Sequence, residues 1–200
     1  MESPQHWPLP EAAALRDELT AAYADGSRHY HDLRHLTEVL DRLDELAEAG
    51  VEYDRTTVQL AAWFHDAVYD GERDAEERSA TWAELALPAY CKKRVVEEVA
   101  RLVRLTEEHR PQKGDTAGAA LSDADLGILA AKRSRYDEYS AAVRSEYSHL
   151  GAEEFDAGRA QVLRGLLERK WIFRTDHARQ AWETKARANI DRELASLAKG

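Results

Sequence analysis

The chain has 200 residues, of which 44% are hydrophobic and five are tryptophan, and this composition predicts one packed globular domain. Acidic residues outnumber basic ones by 38 to 28, and the net charge of −10 argues against a long nucleic acid as a partner, because phosphate backbones favour basic surfaces. A single cysteine, no apolar run near the roughly 20 residues of a membrane span, and no signal-peptide pattern together predict a cytoplasmic protein without a membrane partner.

Hydrophobic periodicity is helical along the whole chain, and proline and glycine are sparse. No alternating run is long enough to predict a sheet. The sequence therefore predicts an all-α, single-domain helical bundle over residues 1–200, with about eight to ten helices. The predicted helical segments are 10–24, 30–49, 54–70, 75–87, 91–109, 122–131, 134–150, 151–170 and 176–198.

Histidines concentrate in the stretch RHYHDLRHLTEVL, which includes His31 and His35. Residues four apart on a helix share a face, so these two side chains point to one place if the helix begins by Tyr30. The same segment carries an apolar stripe that continues towards Gly50 and predicts a buried helix face.

A second polar element, His65 and Asp66, follows LAAWF in the most apolar predicted helix. Adjacent side chains on a helix diverge by about 100°. Both can therefore serve one site only if the helix end faces it, or if they bind one ion from two sides. A buried aspartate must be paired or bind a metal, because burying a lone carboxylate is very costly.

A third element, SDADLGIL, adds Asp123 and Asp125 beside apolar residues. One interpretation makes both carboxylates candidate ligands. Another makes Ser122 and Asp125 a capping box at a helix start, with Asp123 stabilising the helix dipole. Imidazole and carboxylate groups together suit a borderline or hard divalent ion, whereas one cysteine excludes a thiolate zinc site.

The order of these elements resembles the HD-domain superfamily of metal-dependent phosphohydrolases, whose pattern is a His, a later His-Asp doublet and a distant Asp on a helical core. The resemblance implies His35, His65, Asp66 and Asp125 as metal ligands. Asp125 is favoured over Asp123 because the last ligand of the superfamily usually stands in Ala-Asp at a helix start, here Ala124-Asp125.

A closer resemblance, to a bacterial subfamily of predicted HD phosphohydrolases, spans nearly the whole chain. It rests on HYHDLRHL, WFHDAVYD, DAEERSA, RLTEEH and SDADLGIL. The stretch YHDLRHLTEV is also similar to an element of cyclic-nucleotide phosphodiesterases. That similarity implies that His35 ligates the metal and His31 acts as the general acid for the leaving oxygen.

Asp70 is a further candidate catalytic residue, placed beside the metal ligands, because it fits the last position of an element of alarmone hydrolases. Tyr69 and Leu129 depart from that family's pattern and count against its substrate. His109 and Asp123 are candidates for a second metal or a substrate contact; the alternative for His109 is a helix C-terminal histidine meeting the dipole. Candidate phosphate contacts are Arg28, Arg34, Lys92, Lys93 and Lys113.

The resemblance implies hydrolysis of a phosphate ester or anhydride of a small, nucleotide-like metabolite, by a water activated on a divalent metal ion (Mn, Mg, Fe, Zn or Ni). Two alternatives stay open at this point. One is a di-iron oxygenase of the HD type, with His31 and His109 as extra ligands. The other is a sensor that binds metal and nucleotide with little or no turnover. The sequence leaves the oligomeric state open.

Overall fold

The chain folds into α-helices and short 3-10 helices. A computed structural model describes residues 6–198; the ends of the predicted domain, 1–5 and 199–200, lie outside the described residues. Within residues 6–198 the chain forms no strand, which confirms the all-α prediction. The described α-helices are α1 (Ala13–Tyr23), α2 (Leu33–Glu48), α3 (Arg55–Phe64), α4 (Ala75–Ala86), α5 (Lys93–Leu105), α6 (Thr116–Asp125), α7 (Arg133–Glu146), α8 (Ala152–Leu167), α9 (Asp176–Ala181) and α10 (Glu183–Leu197).

Aspartates begin the three helices that matter most for the polar elements. Asp32 accepts hydrogen bonds from the backbone N–H groups of Arg34 and His35 at the start of α2. Asp54 does the same for Thr57 at the start of α3, and Asp115 caps α6. Each side chain satisfies a backbone donor that the first helical turn leaves without a partner.

The core forms because α2 and α3 present apolar faces to their neighbours. Leu36, Val39, Leu40, Leu43 and Leu46 are at most 1% exposed, which confirms the stripe predicted for α2. Helix α2 packs on α6 and on α3, and α3 packs on α5. The helices that carry the polar elements are therefore held together by the core itself.

Several predicted helix boundaries are wrong, and three of them affect the polar elements of His35, of His65 and Asp66, and of Asp125. Helix α2 begins at Leu33, not by Tyr30, because Asp32 caps it there. Helix α3 ends at Phe64 and does not continue to residue 70. Helix α6 begins at Thr116, so Ser122 cannot open a capping box and Asp125 is its last residue.

No helix among residues 6–198 is both long and apolar enough to cross a membrane.

Candidate metal centre

Four side chains from three helices meet in the interior, and we call them the His–Asp cluster. His35 lies in the first turn of α2, where Asp32 fixes its backbone N–H. His65 and Asp66 follow the last residue of α3, and Asp125 ends α6. Because α2 packs on both α3 and α6, the core brings these chain segments to one point.

The end of α3 explains how two adjacent residues serve one site. His65 is the C-cap of the helix, and Asp66 already lies in the turn that follows. His65 still has helical dihedrals, with φ −57° and ψ −39°, so both residues reach one site because the end of the helix faces it. Asp66 Oδ2 lies 3.0 Å from His65 Nε2.

The cluster is tight. The Nε2 atoms of His35 and His65 are 3.0 Å apart, and Asp66 Oδ2 is 3.3 Å from His35 Nε2. Ligand atoms of His35, His65 and Asp66 all lie within 4.8 Å of one another, so these three buried or nearly buried residues could hold a metal ion. Asp125 Oδ1 lies 3.3 Å from His35 Nε2 and 3.7 Å from His65 Nε2.

One hydrogen bond fixes which nitrogen of His65 faces the cluster. His65 Nδ1 lies 2.7 Å from the backbone oxygen of Ala62, a carbonyl that can only accept. The proton of neutral His65 is therefore on Nδ1, and the Nε2 lone pair points to the other three side chains. This arrangement, with the outer nitrogen bonded to a carbonyl, is the usual environment of a metal-binding histidine.

Charge within the cluster is unbalanced whenever the two imidazoles are neutral, which is the state that binds a metal. Two carboxylates face two imidazoles, and the imidazoles are at most 2% exposed. Burial lowers the pKa of His35, but hydrogen bonds to Asp125 and Asp66 outweigh that effect and raise the pKa to about 9. Burial raises the pKa of Asp66, but the His65 charge and the other histidines hold that pKa well below its usual range. The site attracts positive charge, whether protons or a cation.

A divalent ion fits this donor set. Ligand atoms that bind one ion at about 2.1 Å lie about 3.0 to 3.5 Å from their neighbours. The closest donor distances in the cluster, between 3.0 and 3.3 Å, match that spacing. Two imidazoles and two carboxylates suit a borderline or hard divalent ion.

His109 extends the cluster on the Asp125 side. Helix α5 ends at Leu105, so His109 lies beyond it, with a positive φ of 52°, and is not a helix C-terminal histidine. Its Nε2 lies 2.7 Å from Asp125 Oδ2. Arg169 donates hydrogen bonds to the backbone oxygens of His109 and Glu108 and so secures this turn.

Asp123 belongs to a different structure. Its carboxylate accepts hydrogen bonds of 2.7 Å from the backbone N–H groups of Arg174 and Thr175, and it is 0% exposed. Two residues along a helix correspond to a rotation of about 200°, so Asp123 and Asp125 face opposite sides of α6. The prediction of Asp123 as a second-metal or substrate residue is corrected to a backbone anchor.

Asp70 also binds a residue outside the His–Asp cluster. Both of its oxygens accept hydrogen bonds from Arg78, and the side chain is 50% exposed. The chain has turned outward after Asp66, because α3 has already ended. The structure therefore does not bring Asp70 to the His–Asp cluster, and its predicted catalytic role is corrected to a surface ion pair with Arg78.

His31 lies in the turn before α2, with its ring centroid 5.6 Å from that of His35. Its Nδ1 is 2.7 Å from Glu146 Oε2, and its ring stacks on Tyr69 at 4.0 Å. The side chain of His31 is 22% exposed, whereas that of Glu146 is only 4% exposed. A buried carboxylate thus orients the imidazole and leaves its other nitrogen towards the open side.

Sequence reasoning missed Glu146, which ends α7. Its Oε1 accepts hydrogen bonds from the backbone N–H groups of His29, Tyr30 and His31, while Oε2 faces His31 and the Tyr69 hydroxyl. Burial raises the pKa of Glu146, but hydrogen bonds to His31 and the backbone outweigh this and lower it to about 2. A glutamate at a helix end carries no sequence signal for a partner 115 residues away.

The predicted phosphate contacts include one residue with a structural role. The Arg28 guanidinium donates to the backbone oxygens of His31, Asp66 and Ala67, at 3.0, 2.7 and 2.9 Å. It therefore ties the turn after α3 to the turn before α2. Arg34 pairs with Glu38 and Glu138 on the surface, and Lys93 pairs with Glu97. These contacts account for Arg28, Arg34 and Lys93 without a phosphate.

An open cleft of about 900 Å³ gives access to this region. His31, His109 and Asp125 line it together with Arg110 and Arg169. Ligand sites of small molecules usually occupy 300 to 1,000 Å³. The cleft therefore has the size for a metabolite, and it borders the His–Asp cluster directly through Asp125.

No protein-family model, curated protein or solved structure matches the chain.

Proposed function

We propose that this protein is a metal-dependent phosphohydrolase that acts on a small, nucleotide-like phosphate ester, with His35, His65, Asp66 and Asp125 as the metal ligands. The observation that carries the proposal is a buried, charge-unbalanced His–Asp cluster that borders the same cleft as an imidazole oriented by a carboxylate. The resemblance of the sequence elements to the HD-domain superfamily supports the same assignment.

The proposed role of the ion is electrostatic. A divalent ion bound there would lower the pKa of a bound water and offset charge on the phosphoryl oxygens. Asp125 keeps its second oxygen on His109, which fixes the carboxylate orientation. Arg110 and Arg169 line the cleft and counter the charge of an anionic substrate in a chain that is acidic overall.

His31 supplies the proton in the proposed reaction. Hydrolysis breaks the bond between phosphorus and the leaving oxygen and forms a new bond from phosphorus to a water oxygen, so an ester and water become an alcohol and phosphate. The leaving oxygen takes the proton of His31 Nε2, because Nδ1 is held by Glu146. The Glu146 carboxylate stabilises the charged imidazolium before that transfer and fixes its orientation.

The test is His31→Asn, compared with wild type on an alkyl phosphate and on nitrophenyl phosphate. A general acid contributes about 100- to 10,000-fold when the leaving group is a poor one. We expect a loss of that order for the alkyl ester and a much smaller loss for nitrophenyl phosphate, whose anion is stable without a proton. Metal content is measured in the same samples and should stay unchanged.

Three results would contradict the proposal. Equal losses on both esters with metal retained remove His31 from the proton-donor role. Loss of metal in His31→Asn, with bound iron and oxygen uptake, favours an oxygenase. Tight binding of product without phosphate release by the wild type favours a sensor.

A further inference from the structure

A second cavity lies beside His31 and adjoins the wide cleft. It measures about 370 Å³, and we call it the tyrosine pocket. Its walls are formed mainly by Tyr30, Tyr139, Val143, Tyr147, Phe155 and Val162. The pocket shares its border with the wide cleft, because His31 and Tyr30 line both cavities.

The pocket is apolar, and its one buried cation is already neutralised. Arg159 lines it, but the Arg159 guanidinium is paired with Glu193 at 2.8 Å and donates to the Tyr139 hydroxyl at 2.9 Å. Tyr30 and Tyr139 pack edge to face, with ring centroids 4.6 Å apart. Such a surface favours a flat, uncharged group over a phosphate or a carboxylate.

The pocket is open to a ligand at its rim. Val162 is 58% exposed and Tyr147 is 41% exposed, so apolar surface is left uncovered there. The rings of Tyr30 and Tyr139, by contrast, are buried. An apolar surface that the protein leaves open is available to a bound group.

We propose that the tyrosine pocket binds the leaving group of the substrate, and that this leaving group carries a flat aromatic ring of nucleobase size. The inference rests on the proposed function, because it follows from the position of His31. The leaving oxygen must lie at His31 to receive its proton, and the remainder of the leaving group then continues into the tyrosine pocket, which His31 also lines.

The first measurement compares benzyl, cyclohexylmethyl and ethyl phosphate with the manganese-loaded protein. The three leaving alcohols have similar basicity, so differences in kcat/KM report how the leaving group binds. One well-packed apolar group changes kcat/KM by about 10- to 200-fold. We expect benzyl phosphate to exceed ethyl phosphate by at least about tenfold. The cyclohexylmethyl ester should fall between them, because its ring is not flat.

Gly158→Leu fills the pocket without disturbing the fold. Gly158 lines the tyrosine pocket inside α8, and a Cβ atom built on it meets nothing within 4 Å. The matched control is Gly165→Leu on the same helix, which is equally open at Cβ but lines only the wide cleft. We expect Gly158→Leu to lower the benzyl-to-ethyl ratio about tenfold and Gly165→Leu to preserve that ratio.

Binding of non-hydrolysable probes separates failure of this inference from failure of the proposed function. Benzylphosphonate and methylphosphonate are titrated into the manganese-loaded wild type and both leucine variants by calorimetry. Preferential binding of benzylphosphonate that Gly158→Leu removes supports the pocket even if no ester is hydrolysed. Equal affinity of the wild type for the two phosphonates, or equal loss in both leucine variants, overturns the pocket assignment.

Discussion

Two of the buried ionic clusters among residues 6–198 are built on opposite principles. In the Arg159–Glu193 network, the Glu193 carboxylate accepts hydrogen bonds from Arg159, Tyr136 and Ser140, and one positive charge meets one negative charge. In the His–Asp cluster, two carboxylates face two imidazoles that are neutral unless protonated. The first network is complete within the protein, whereas the second needs positive charge from outside.

The contrast indicates which buried polar groups point to a ligand. Burial of charge is tolerated in both places, so burial alone does not mark a site. What differs is whether the charges cancel without a proton or an ion from outside the protein. Both clusters border the wide cleft, one through Arg159 and the other through Asp125, but only the His–Asp cluster offers ligand atoms at metal-binding spacing.

Breaking the complete network should have the largest effect on stability. Glu193→Gln leaves the Arg159 charge buried and unpaired, since these side chains are only 6% and 10% exposed. We expect the free energy of unfolding to fall by about 3 to 5 kcal/mol. Denaturant unfolding measures this loss, and metal content should stay the same per folded molecule. A neutral effect would mean that the network is no more than a surface ion pair.

Breaking the incomplete cluster should act on metal binding first. His65→Ala or Asp66→Ala removes a ligand, so we expect metal affinity to fall by more than about 100-fold, beyond the range seen for residues that only orient a ligand. Mass spectrometry of the folded variants measures bound metal, with circular dichroism as the control for folding. Wild-type metal content in both variants would end the ligand assignment.

Asp123 and Asp125 allow a comparison within one helix, because only Asp125 belongs to the His–Asp cluster. Asp125→Asn should lower metal affinity about tenfold, because the amide lacks the charge that attracts the ion. Asp123→Asn should leave metal affinity nearly unchanged and lower stability instead, since its NH2 group would face one of two backbone donors. Metal titration and thermal unfolding of both variants separate the effects, and the reverse order would exchange the two roles.

The smallest expected effect is the change with pH in the stability that Glu146 contributes. The pKa of its carboxyl is lowered from 4.5 to about 2 in the folded protein, so it contributes stability above pH 4.5 that is lost as the pH falls towards 2. The stability difference between wild type and Glu146→Gln should therefore shrink as the pH falls from 7 to 3. A difference that is constant with pH would show that the charge of Glu146 does not matter.

The all-α fold could be predicted because helical periodicity is a local property of the sequence. The stripe on α2 and the apolar run of α3 each lie within one helix, and both are buried as expected. The cost of burying His65 and Asp66 beside an apolar run marks that pair, whereas His35 is marked by its spacing from His31 and by the family resemblance. Their proximity required the packing of α2 on α3 and was only implied by a family resemblance.

The rest of the site depended on details that sequence patterns do not encode. A shift of the α6 start from Ser122 to Thr116 turned a predicted helix beginning into a helix end. Asp70 was placed by spacing from the His-Asp doublet, yet the chain leaves α3 before reaching it. Glu146 and Arg28 act through backbone groups of distant segments, and backbone partners leave no trace in side-chain composition.

The near-complete burial of His35 and His65 has a kinetic consequence. Their side chains are 2% and 1% exposed, whereas those of Asp66 and Asp125 are 15% and 14% exposed, so an ion bound among them would be open to solvent only on the carboxylate side. A chelator could approach the ion only from that side, and metal loss would be slow. Such an ion would be retained from the moment of folding, and the metal found in the purified protein would record what was present then.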